Sequence, residues 1–330
     1  MRQPLFAAVF AAVLAAVLAT VLALGSGVAS AQAFPSRPVR VVVPYTAGGV
    51  VDIIARAVGE RAAPGLGQPV VVENRTGAAG NIGTEAVAQA APDGHTLVLA
   101  SPSHTVNISL YPKLSWHPIR SFEPVIMVGV IPNLIVVHPS VPARSLAELV
   151  ALAKARPGQL NYASAGAGSS VHLATEMLKQ SAGVFLLHIP YRAQPEAVTA
   201  ILAGDVQMMA LTMALAKSRV EAGQLRALAV TTPGRSAAMP ELPTVAESGY
   251  PGFDVSTWFA FLAPAGTPAE AVRRLNAELG RAIRHPEVEK RLRAAGAELS
   301  PGSPQELRRF LEADVERWAK VVRQSGIKTD

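Results

Sequence analysis

Val39-Arg40-Val41-Val42-Val43-Pro44-Tyr45-Thr46-Ala47-Gly48-Gly49-Val50-Val51-Asp52-Ile53-Ile54-Ala55-Arg56 reads as a strand, a turn and a helix in immediate succession. The β-branched run Val39–Val43 predicts a buried strand. Pro44 to Gly49 is a glycine-containing turn. From Asp52 to Ala62 the apolar residues Ile53, Ile54, Ala57 and Val58 recur at helical spacing. The unit repeats: Val70–Val72 is a strand, Thr76–Gly80 a loop, Ile82–Ala90 a helix, Leu97–Leu99 a third strand and Ser101–Asn107 a polar loop. Such alternation predicts an α/β fold with mainly parallel strands, and ligands of such folds sit at the carboxyl ends of the strands.

A second series begins near residue 140, after the strand Leu134–Val137. Ser145–Ala155 is a helix, with Ser145 as N-cap and Glu148 at the capping-box position. Leu160–Ala163 is a strand, Ser164–Ser170 a small-residue loop and Val171–Gln180 a helix. Phe185–Ile189, Val206–Leu211 and Leu225–Thr231 complete the strands of this series. Pro233–Pro251 is a surface excursion or linker. Val255–Leu262 is a last, aromatic-rich strand, and the helices Pro268–Arg284 and Pro304–Gln324 close the chain. Two series predict two α/β lobes with a cleft between them: residues 34–139 with 255–330, and residues 140–254.

Residues 1–33 stand apart. Arg2 precedes an apolar run from Leu5 to Leu24, then Gly25-Ser26-Gly27 and two A-x-A signals, Ala29-Ser30-Ala31 and Ala31-Gln32-Ala33. This is the layout of a cleaved secretory signal peptide; an uncleaved anchor is the rival reading. The 330 residues contain no cysteine, which excludes disulfides, thiolate nucleophiles and Cys-type metal sites, and which suits export to an oxidising space. Half of the residues are apolar, enough to exclude a disordered chain. The net charge of +6 is spread; its densest stretch, Arg281–Arg293, is interleaved with Glu287 and Glu289 and reads as a solvated helix face. No nucleic-acid partner is expected.

Catalytic signatures are missing from the sequence. It has no G-x-S-x-G, no Gly-Lys P-loop pair and no H-E-x-x-H, and its 7 histidines show no metal-ligand spacing. Gly77-Ala78-Ala79-Gly80-Asn81-Ile82-Gly83 approaches a dinucleotide fingerprint, but with G-x-x-G-x-x-G spacing, and an ordinary strand-to-helix turn is the better reading. No cofactor and no metal are expected. What remains is a pair of similar units. Tyr45, Thr46, Ala47, Gly48 and Gly49 lead into one helix; Ser164, Ala165, Gly166, Ala167, Gly168 and Ser169 lead into another. Small residues allow close backbone approach, and a helix N-terminus offers unpaired N–H groups and partial positive charge to an anion. Neither loop contains Lys or Arg. From the residues alone, tight βα turns and anion-binding turns both remain open. Ser101, Ser103, His104, Thr105 and Asn107 are further polar candidates, as are Tyr191 and Arg192. Asp52 is favoured as a structural acceptor for the Gly48–Gly49 loop or its own helix. Trp258 packs at a hinge or walls a cleft.

These residues together resemble the Bug-type receptors, the periplasmic solute-binding proteins of tripartite tricarboxylate transporters. The resemblance rests on Pro44–Arg56, Val72-Glu73-Asn74-Arg75 with Gly80–Gly83, Pro92–Leu97, Tyr162–Gly166 with Gly168-Ser169, His188–Tyr191 and Phe261–Pro268, in family order from about Pro35 to the C-terminus. It implies a two-lobed, venus-flytrap (type II) periplasmic binding protein, monomeric and without catalysis. It implies a small carboxylate ligand, held by backbone amides and waters, and membrane permease subunits as partners. A ligand-binding co-receptor for a sensor kinase is the alternative; an enzyme acting on a small anion is a more remote one. By position, the ligand loops are Tyr45–Gly49, Ser101–Asn107 and Ser164–Ser169. Two departures are visible: Val50 and Val51 stand where the family usually has small or hydroxyl residues, and Ala210 stands where it usually has an Asp. The second departure implies a ligand without an amino group and with an apolar body.

Overall fold

Val39–Val43 forms β1, and its side chains enter packed layers on both faces: Val39, Val41 and Val43 on one, Val42 on the other. A strand covered on both sides needs apolar residues at every position rather than at alternate ones, which is why the run is so uniform. The computed structural model describes residues 34–166 and 168–325. The proposed signal segment 1–33 and the loop residue Ala167 lie outside the described residues.

β1 is followed by α1 (Val50–Leu66), β2 (Val70–Asn74), a single 3-10 turn at Ala78–Gly80, α2 (Asn81–Ala88), β3 (Thr96–Ala100) and α3 (Ser103–Leu110). The polar stretch Ser101–Asn107, read as a loop, is therefore largely helical. Ser, Thr and Asn are weak helix formers, and the helix is held by tertiary contacts instead. Val106 and Leu110 are buried in a core cluster, and Thr105 Oγ1 donates to Asp314 Oδ2 at 2.6 Å.

The long β4 (Phe122–Val137) comes next, and α4 (Leu146–Ala155) follows with the expected capping box: Ser145 Oγ accepts from the Glu148 N–H, while Glu148 Oε2 accepts from the Arg144 N–H. The chain continues through β5 (Asn161–Ser164), α5 (Ser170–Ala182), β6 (Leu187–Pro190), α6 (Gln194–Ala203), β7 (Met208–Thr212), α7 (Met213–Glu221), β8 (Arg226–Val230) and β9 (Ser256–Pro264). It ends with α8 (Ala269–Ile283), α9 (Pro286–Ala294), the short β10 (Glu298–Leu299) and α10 (Pro304–Ser325).

Parallel pairing joins β2–β1–β3 in the first group and β6–β5–β7 in the second. β4 and β9 enter antiparallel, so each sheet is mixed rather than mainly parallel. β4 belongs to both groups. From Phe122 to Pro132 it pairs with β9, and from Asn133 to Val137 it lies between β7 and β8. α10 also serves both, with Leu307 and Leu311 in one core cluster and Trp318, Val321 and Val322 in another. Among the described residues no helix is long and apolar enough to cross a membrane.

Candidate functional site

The first loop leaves the carboxyl end of β1 and is fastened from beneath. The Asp52 carboxylate accepts from the Gly48 N–H at 2.9 Å, from Asn74 Nδ2 at 3.0 Å and from Arg56 Nε at 3.0 and 3.1 Å. Asn74 Nδ2 also donates to the Tyr45 carbonyl at 3.1 Å. The Arg56 guanidinium, with help from the Gly48 N–H and Asn74, holds the Asp52 carboxyl down at about 2 despite its burial. Asp52 thus has the structural role expected of it. Gly48 has a φ of +80°, a left-handed conformation that disfavours any residue with a Cβ.

The Tyr45 phenol reaches outward from this loop to Ser101 Oγ at 2.5 Å and to Ser103 Oγ. Burial pushes its pKa up, against the pull of the two serine hydrogen bonds. Tyr45, Ser101 and Ser103 therefore form one cluster at the start of α3. Asn107, one turn further along, donates to Asn81 Oδ1 at 2.6 Å and to the Ala79 carbonyl at 3.2 Å. It braces the glycine-rich turn where Ala78 and Ala79 have positive φ, a rare state for residues with a side chain.

His104 is in a different setting. It is buried, lies near-parallel to Trp116 at 5.0 Å and bonds the Pro118 carbonyl through Nε2 at 2.9 Å; burial lowers its pKa to about 4. These contacts put its ring in the packing of the first sheet with Trp116 and Phe122. Trp258 is likewise core: it donates to Asp314 Oδ2 at 3.1 Å and meets Phe310 edge-on, neither walling a cleft nor lining a loop.

The second loop leaves β5 and is fastened just as closely. Ser164 Oγ accepts from the Gly166 N–H at 3.1 Å, and the Ser164 carbonyl accepts from the Tyr191 N–H at 3.0 Å. Ser169 caps α5, accepting from the His172 N–H at 3.3 Å and donating to the Gly166 carbonyl at 2.8 Å. Gly168 has a φ of +77°, and a Cβ there would come within 2.9 Å of Leu110 Cδ1. Ser170 Oγ accepts from Thr257 Oγ1 of β9 at 2.7 Å.

α3 is what brings the loops together. Its first residue, Ser103, meets Tyr45 of the first loop, and its last, Leu110, meets Gly168 of the second. Seven residue rises separate the two contacts, about 10 Å along the axis. Two longer helices, α1 and α5, start from these loops; α1 has no side-chain cap, Ser169 takes up the His172 N–H of α5, and neither loop carries a cation. Arg192 is exposed, and its N–H is engaged by Glu196. Among the described residues no group of three His, Asp or Glu is placed to hold a metal.

At the two departures noted in the sequence the side chains face the core. Ala210 is fully buried in the same core cluster as Ile135 and Tyr162, and Val51 is buried in the core of the first sheet with Val50 packed against it. The strand's alternation turns Ala210 into the core.

Asn74, Asn81, His172 and His188 support the loops and were not singled out by the sequence. Asn74 and His188 fall within the stretches that carry the family resemblance, but their partners lie tens of residues away, beyond the reach of local pattern.

The model of the tripartite tricarboxylate transporter family receptor (TctC) matches residues 54–327. The chain belongs to this family. BugT of Bordetella pertussis is 39% identical over 301 residues, covering 91% of this chain and 92% of BugT. The periplasmic binding protein BugD is similar in structure, with a TM-score of 0.75 and 35% identity over 90% of this chain and 100% of that one. R. palustris Rpa4515 with adipate superposes with a TM-score of 0.77 and 37% identity, covering 89% and 99% of the two chains. MatC from Rhodopseudomonas palustris with bound malate gives 0.74 and 33%, covering 88% and 100%. The α/β fold with mixed sheets flanked by helices is that of the TctC-type periplasmic binding proteins.

Proposed function

We propose that this chain is a receptor that binds a small carboxylate between Tyr45–Gly49 and Ser164–Ser169 and delivers it to a membrane permease of the tripartite tricarboxylate type. The observation that carries the reading is the attachment of two cation-free, helix-initiating loops to the two ends of one short helix. Backbone N–H groups and helix N-termini stabilise a carboxylate without a formal counter-charge. Adipate and malate, the ligands named with two relatives, are small dicarboxylates.

In this reading residues 34–139 with 255–330 form one lobe and 140–254 the other, with the end of β4 lent to the second. The lobes close on the ligand about the crossing strands. Residues 1–33 act as a cleaved export signal, and the receptor works as a periplasmic monomer. The serine hydroxyls at 101 and 103, the Asn107 amide and the Tyr191 backbone shape the rim, while His104 contributes through packing.

A thermal-shift and calorimetry screen of residues 34–330 against mono-, di- and tricarboxylates tests the reading. A binder present at a hundred times its Kd stabilises the folded state by about 2.7 kcal/mol, so at least one dicarboxylate should raise the melting temperature by several degrees. Gly48→Pro, which removes the N–H bound to Asp52 and imposes a negative φ where +80° is needed, should abolish that response. A folded protein indifferent to every acid, or a Gly48→Pro variant that binds unchanged, would overturn the assignment.

A further inference from the structure

We infer that His172 and His188 are positioning residues for the second ligand loop, acting as hydrogen-bond partners that hold Gly168 and Ser164 in place from behind. The inference rests on the carboxylate-receptor reading only for what the loop binds, not for how the loop is held.

His172 stands in the first turn of α5, and its Nδ1 accepts from the Gly168 N–H at 3.1 Å. His188, on β6, places Nε2 at 2.6 Å from Ser164 Oγ, the same oxygen that accepts from the Gly166 N–H. The two imidazoles face one another at 4.3 Å with their planes 25° apart, and the Tyr162 ring lies near-parallel to both, 4.7 Å from His188 and 6.2 Å from His172. Loop residues on either side of the turn thus hang from adjacent rings of one trio.

A second layer fixes the trio. Tyr162 donates its hydroxyl to Glu176 Oε1, and Lys179 Nζ pairs with the same oxygen at 2.5 Å while lying over the Tyr162 ring at 5.4 Å. Glu176 and Lys179 project from α5, the helix that the loop feeds. The arrangement needs His172 neutral, because a protonated Nδ1 has no lone pair for Gly168. Burial, and then the neighbouring His188 and Lys179, hold its pKa far below the ordinary imidazole value, at about 3. Burial also lowers His188, with Lys179 adding to the effect and Glu176 opposing it. Core packing alone would be served by Leu or Phe at either position; the two hydrogen bonds into the loop would not.

The test uses His172→Leu, His172→Asn, His188→Phe and His188→Gln. Asn presents an acceptor near the place of Nδ1, and Gln an amide near the place of Nε2. Two readouts are taken: amide hydrogen exchange of the 164–170 segment without ligand, and the Kd for whichever carboxylate the unaltered protein binds. His172→Leu and His188→Phe should speed exchange at Gly166 or Gly168 and weaken binding roughly tenfold or more, as expected when a buried hydrogen-bond partner is lost. The Asn and Gln variants should remain within about threefold of the parent. Apolar variants that leave loop exchange unchanged, or polar variants as impaired as the apolar ones, would overturn the inference. If the parent binds no carboxylate, the functional reading fails, while the exchange comparison still decides this one.

Discussion

One carboxylate, that of Asp52, is the shared acceptor for a loop N–H, the Asn74 amide and the Arg56 guanidinium. Asp52→Asn removes the charge that Arg56 and Gly48 face and should cost about 1–3 kcal/mol in urea unfolding at neutral pH. The folded-state pKa lies below the ordinary 3.8, at about 2. The contribution is therefore complete above 3.8 and disappears as pH falls through 2, so the gap between variant and parent should close over that interval. His172 behaves in the same direction for the opposite reason. Its pKa falls from 6.5 to about 3 because burial disfavours the cation, so the unfolded chain takes up the proton first and stability drops as pH falls below 6.5. Melting curves of His172→Asn should show a shallower acid decline than the parent; parallel curves would contradict this. The two residues differed in legibility. Asp52 sits four residues from both Gly48 and Arg56, within reach of local pattern, and its structural role was readable. His172 and His188 are separated by a helix and a turn, and only the fold, which sets α5 beside β6, brings them face to face.

Serine capping marks where α4 and α5 begin. Ser145 and Ser169 each accept an N–H from the residue three positions on, Glu148 and His172 respectively. Substituting either serine by Ala should cost about 1 kcal/mol of stability. The two should differ in binding: Ser169→Ala also releases the Gly166 carbonyl and should weaken carboxylate affinity, while Ser145→Ala, in α4, should leave it unchanged in calorimetry. Equal effects on affinity would argue against the second loop. Most strands and helices of the repeating βα units were legible from their period, and α4 from its capping box as well. Several were not, among them α6, α7, α3 and the first part of β4. α3 is built from serine, threonine, histidine and asparagine, whose weak propensity is outweighed by contacts with α10 and the core. β4 is interrupted in sequence by Pro124, Gly129 and Pro132, and only its end, Leu134–Val137, reads as a strand, although Val125, Ile126, Val128, Val130 and Ile131 precede it. Register shifts beside Pro124 and Gly129 let the strand absorb the interruptions.

For the molecule as a whole, the buried Asp314 on α10 is the principal knot. It accepts from Thr105 of α3 and Trp258 of β9 and pairs with Arg317, which in turn donates to the Asp254 carbonyl at 2.7 Å just before β9. One side chain thus links the helix under the loops, the return strand and the closing helix. Asp314→Ala leaves the Trp258 indole N–H and the Thr105 hydroxyl without this acceptor while Arg317 keeps Asp254, and should destabilise the protein by about 1–3 kcal/mol. Urea unfolding with and without a binding carboxylate measures this, and a loss below about 1 kcal/mol would remove Asp314 from that role. The two-series organisation was visible in the sequence. The mixed character of both sheets was not, because antiparallel pairing of β4 with strands some hundred residues downstream leaves no mark on either segment's composition.

The sixteen-residue β4 sets a rule for exchanging parts between relatives. β7 and β8 both hydrogen-bond to its stretch from Asn133 onward, and Thr231 bonds the Asn133 and Val255 carbonyls where the chain crosses back. A hybrid protein spliced at residue 140 would graft a foreign module onto a native zipper tooth, mismatching side chains on both flanks. Junctions placed ahead of Asn133 and beyond Val255 carry the tooth along with the module it serves, and hybrids cut there are the ones that should fold with their strand pairing intact.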